Sequence, residues 1–98
     1  MDFHNLKRHL NTFFSALQRS ADAGELPQLS DAASFVLFAE KMHMNASDDW
    51  LPEAEDFLHL ARQLHSAIKH KKIQDTVLLM DALQDAQEFC HRTYREKG

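Results

Sequence analysis

Apolar residues recur along this chain at intervals of three and four, the period at which one face of an α-helix returns. The first run is Phe3, Leu6, Leu10, Phe13, Phe14 and Leu17. Asp2 stands before it as a helix N-cap, and Gly24 followed by Pro27 closes it. Ser30 is a good N-cap for a second helix, with Asp31 in the first turn, where a carboxylate meets the positive end of the helix dipole. The second stripe is Ala32, Phe35, Val36, Ala39 and Met42, and it fades in the polar stretch Asn45 to Asp49. Pro52 suits the first turn of a third helix, which buries Ala54, Phe57, Leu58, Ala61, Leu64 and Ile68. The basic run Lys69-His70-Lys71-Lys72 ends that helix, and Gln74-Asp75 opens a fourth. In the fourth, Val77, Met80, Leu83, Gln87, Cys90 and Tyr94 form one row, with Leu79, Ala82, Ala86 and Phe89 beside it. Four helices of about four to six turns with short connections predict an all-α fold, an antiparallel up-down four-helix bundle. No internal repeat or low-complexity segment interrupts it, so residues 1–98 read as one domain.

Composition sharpens this picture. Only two Gly and two Pro are present, and β-branched residues are scarce, which favours helix throughout. A net charge of −4 gives no basic face of the kind nucleic acid requires, and Lys69 to Lys72 is too short a run to change that. No stretch approaches the roughly 20 apolar residues that span a bilayer. The start, Met1-Asp2-Phe3-His4, lacks the basic and apolar regions of a signal peptide, so the chain as written reads as cytoplasmic. The single cysteine excludes an internal disulfide.

Seven His raise the question of metal ligation. Glu40 and His43, Asp56 and His59, and Glu88 and His91 each place an acid three residues before a His, on one helix face as in di-iron carboxylate bundles. Such a site also needs a carboxylate from the middle of each remaining helix. The first helix has acids only at Asp2 and Asp22, its two extremities. His43, His59, His65 and His70 therefore read as surface histidines. Cys90 has only His91 beside it, about 100° away around a helix and so poorly placed as its base. Nothing supports catalysis, and the chain reads as a non-enzyme.

The stretch Gln87-Glu88-Phe89-Cys90-His91-Arg92-Thr93-Tyr94-Arg95 carries the most specific chemistry. Cys90-His91 is the second half of a c-type haem attachment motif, C-x-x-C-H, with Gln87 where the first Cys belongs. On a helix, Gln87, Cys90, His91, Tyr94 and Arg95 share one broad face. A neutral imidazole there would ligate haem iron, the adjacent thiol would form one thioether, and a guanidinium one turn later would meet a propionate.

Residues 50–95 resemble the second half of cytochrome c′ and its relatives, which include a soluble b-type four-helix cytochrome. The resemblance rests on Trp50, Phe57 and the Ala61 to Leu64 spacing, and above all on His91, Tyr94 and Arg95 at the family's C-terminal spacing. It implies a haem-binding electron-transfer or gas-binding bundle, with His91 as proximal ligand and sole metal-binding residue. Cys90, Gln87, Tyr94 and Arg95 then surround the haem, with Leu6, Leu10 or Phe14 on its distal side. It further implies a redox partner, a homodimer through the first two helices, with Leu37 and Phe38 as a candidate apolar row, and a periplasmic location for a mature chain. The sequence departs from the family at Gln87, and its first helix has no Met beyond Met1 to serve as a second axial ligand. The alternative is a haem-free bundle of the same ancestry, an interaction module whose many Phe residues fill the pocket.

Overall fold

A computed structural model describes the backbone of residues 3–97 and the side chains of residues 5–86. It contains four helices, α1 (Phe3–Asp22), α2 (Leu29–Met44), α3 (Leu51–Lys69) and α4 (Ile73–Lys97), in the up-down order of a four-helix bundle. The long axis, 37 Å, is the length of the 25 residues of α4 at about 1.5 Å per residue.

Helices α1 and α3 stop where their last backbone carbonyls find partners outside the ladder. At the end of α1, Gly24 takes φ +74°, and its amide donates to the Ala21 carbonyl. The Glu25 amide donates to the Ser20 carbonyl at 2.9 Å, completing the paired bonds of a Schellman motif. The end of α3 has the same geometry. The Lys71 amide donates to Ile68, and the Lys72 amide to Ala67 at 2.9 Å. The residue in the left-handed position there is Lys71, at φ 58°, where glycine would sit without steric cost. A lysine at such a position is disfavoured by about 1–2 kcal/mol.

The helix starts depart slightly from the caps expected. Helix α2 begins at Leu29, with Gln28 at the N-cap and no side-chain bond to the helix, so Ser30 lies within the first turn. Helix α3 begins at Leu51 after Trp50, with Pro52 in its first turn as its missing amide permits.

The core joins Leu6, Leu10 and Leu17 of α1 to Ala32, Phe35, Ala39 and Met42 of α2. Phe57, Leu58, Ala61, Leu64 and Ile68 of α3 and Met80 and Leu83 of α4 complete it. Three tilted rings run through its middle, Phe14 to Phe35 at 5.9 Å between centroids and Phe35 to Phe57 at 5.5 Å. Such edge-tilted pairs fill volume and add about 0.5–1.5 kcal/mol each beyond area burial. Consecutive helices pack closely, whereas among the described residues α1 and α4 meet only sparsely. Val77, expected in the inner row of α4, is 43% exposed, and α4 instead turns Thr76, Met80 and Leu83 inward. No described helix is long and apolar enough to cross a membrane.

Candidate functional site

Of the residues assigned to a haem pocket from sequence, Leu10 and Phe14 have described side chains. Both already have protein against them. Leu10 is 5% exposed and its neighbour one turn back, Leu6, is 1% exposed. Phe14 is half-buried and its ring rests on Phe35, itself fully buried. Leu10 belongs to the hydrophobic core and Phe14 packs against it. Gln87, Cys90, His91, Tyr94 and Arg95 fall within the backbone of α4, and their side chains lie outside the described residues.

The acid and His pairs on α2 and α3 do not converge. Glu40 accepts from Arg62 of α3 at 3.4 Å, and His43 meets Glu55 of α3 at 3.5 Å. With these side chains 31–61% exposed, the two pairs lie on the outer α2–α3 seam, where each contributes about 0–1 kcal/mol. Asp56 and His59 are both exposed, and the Gln63 amide donates to the His59 ring at 3.1 Å. Among the described residues no three His, Cys, Asp or Glu side chains gather as a metal site requires. His43 and His65 are half-buried, and His59 and His70 are exposed.

The structure also assembles features that no sequence motif announces. His9 of α1 stacks on Phe38 of α2, with centroids 4.7 Å apart and planes 7° from parallel. Phe13 also stacks on Phe38, at 5.7 Å, and the Lys41 ammonium lies 5.4 Å from the Phe38 centroid. Phe38 thus fastens α1 to α2, and of the apolar pair Leu37-Phe38 only Leu37 faces outward, 49% exposed.

The end of α3, the turn after it and the start of α4 border an open groove of about 390 Å³. Ala67 and Leu79 form its floor, and Leu78, 67% exposed, stands at its lip. Gln63, Ser66, His70, Lys72 and Asp75 supply its polar lining. The His70 Nδ1–H donates to the Ser66 carbonyl at 2.8 Å, leaving Nε2 as the ring's remaining polar atom. Lys69, Lys71 and Lys72 form no ion pair among the described residues, so the turn carries their charge uncompensated apart from nearby Asp75. Ile73, 44% exposed, continues the apolar surface beside it. The sequence places these residues on two helices. What brings them together is the left-handed Lys71, which no glycine signals.

No family model, curated protein or solved structure matches this chain.

Proposed function

We propose that this bundle is a haem-free interaction module, working through its outer surface rather than through an interior cofactor. The observation that supports this reading is the burial of Leu6 and Leu10 in the core, at positions that the cytochrome c′ resemblance would set beside a haem. A bundle that completes its core with its own side chains has no need of a porphyrin to fill it. The outer surface supports the same reading. Leu29, Leu37 and Met44 stand out from α2 at 43%, 49% and 79% exposure, and Ile73, Val77 and Leu78 stand out from α4. Exposed large apolar side chains, where they gather, mark protein contact surfaces. A homodimer through α1 and α2 would use the α2 row.

The second reading is a haem protein with His91 as proximal ligand, Cys90 and Gln87 beside the ring edge, and Tyr94 and Arg95 near the propionates. It would transfer electrons to a redox partner or bind a gas. The spacing of Cys90, His91, Tyr94 and Arg95 favours it.

Titration of the purified chain with haemin separates the two. The interaction reading predicts no saturable change in the Soret region. A Soret band that saturates at one equivalent, and disappears in His91→Ala, would replace it with the second reading.

A further inference from the structure

We propose that the groove between the end of α3 and the start of α4 docks an acidic amphipathic segment of a partner protein. This deepens the interaction reading and rests on it. Three features of one place carry the inference.

The first is shape and chemistry together. The groove has an apolar floor, Ala67 and Leu79, extended by the exposed Leu78 at its lip. Its rim is polar, with Gln63 and Ser66 from α3, His70 and Lys72 from the turn, and Asp75 from α4. A segment with apolar residues on one face and charged residues at its edges matches that cross-section. A concavity of about 390 Å³ holds a few side chains, which suits such a segment better than a flat lipid surface does.

The second feature is charge. The chain carries −4 overall, yet three lysines stand within four residues at this turn, each exposed and none in an ion pair among the described residues. Lys69 lies in the last turn of α3, where a cation suits the helix dipole, whereas Lys71 and Lys72 stand just before α4, whose positive start they do not neutralise. Asp75, in the first turn of α4, offsets one of these charges. An incoming carboxylate would meet the remaining lysines, and the charged groups elsewhere on the chain would repel an acidic partner that approached another face.

The third feature is the backbone. Two turns of the chain have the same hydrogen-bond geometry, one with Gly24 in the left-handed position and one with Lys71. At Gly24 nothing lies within 4 Å of where a Cβ would be, so the glycine answers to φ alone. At Lys71 the chain accepts the strained conformation and keeps an exposed lysine between His70 and Lys72, both of which line the groove.

The test uses the full chain and a fluorescein-labelled amphipathic peptide with Leu on one face and Glu on the other. Its twin with Lys in place of Glu is the control. Anisotropy should show the Glu peptide binding with a Kd of about 100 µM or tighter, weakening with added salt, and no binding of the Lys twin. Lys69→Glu, Lys71→Glu and Lys72→Glu combined, or Leu78→Asp alone, should weaken binding at least about tenfold with circular dichroism unchanged. Lys71→Gly should raise thermal stability while weakening the peptide about threefold, a split that a purely structural lysine would not produce. Amide shifts on binding should cluster over residues 63–79. Three outcomes overturn the proposal: no binding by the wild-type chain, equal binding by the triple variant, or displacement of the peptide by vesicles of equal parts phosphatidylcholine and phosphatidylserine. Because the readout is peptide affinity, it stands or falls separately from the haemin titration.

Discussion

Phe35→Ala is expected to lower the melting temperature by about 15–30 °C, the largest effect of any single truncation in the bundle. Phe35 is fully buried in the middle of α2 and touches rings on both sides, Phe14 of α1 and Phe57 of α3. Its removal costs the transfer energy of a large ring and leaves a cavity that three helices border. Such losses run to about 3–5 kcal/mol. A domain of this size is stable by only about 5–15 kcal/mol, so the variant should be near the limit of folding at 37 °C. Thermal unfolding followed by circular dichroism at 222 nm measures this directly. A shift under about 5 °C would mean that the ring stack is not the centre of the core.

Leu10→Ala is expected to destabilise the haem-free chain by about 2–5 kcal/mol. At 5% exposure and packed in the core cluster, Leu10 should behave as any buried leucine. The same substitution discriminates between the functional readings. Where Leu10 faced an empty slot, its truncation would remove atoms already in contact with water and cost under about 1 kcal/mol. Urea unfolding, with slopes of about 1–3 kcal/mol/M, resolves that difference as a midpoint shift of roughly 1 M or more. Leu6→Ala, at a position 1% exposed on the same face, should follow Leu10→Ala closely.

The helices were legible in the sequence because each carries a strong period and an unmistakable stop. Gly24 with Pro27 and the run after Lys69 bound α1 and α3 as expected. The inward faces of α1, α2 and α3 followed from the spacing of their apolar residues, since each of these helices has close neighbours to bury a stripe against. Helix α4 was harder to read. It is apolar on several sides, so periodicity alone could not rank Val77 against Thr76. Packing decided for Thr76, which is 1% exposed and whose hydroxyl, donating to the Lys72 carbonyl at 2.8 Å, is satisfied without water. The α2 cap was misplaced by a residue type, since Ser30 has the right chemistry but Gln28 holds the position.

The candidate site divides in the same way. The C-terminal motif is a local pattern, legible from spacing alone, and its side chains lie outside the described residues. The packing of Leu6, Leu10 and Phe35 joins residues far apart in sequence, which no local motif encodes. The α3–α4 groove was invisible for a related reason. Its walls come from two helices, and the turn that aligns them uses Lys71 in a conformation where sequence reasoning looks for glycine. Lys69 to Lys72 read correctly as exposed, but nothing in four residues reveals that an apolar floor lies next to them.

The claim that the bundle completes its core without a cofactor is tested most directly by calorimetry of the chain purified free of haem. The account predicts one cooperative transition with equal calorimetric and van't Hoff enthalpies, about 60–80 kcal/mol, and a melting temperature unmoved by an excess of haemin. A broad, weakly cooperative melt that sharpens and rises when haemin is added would contradict it, because a ligand stabilises only the state that binds it.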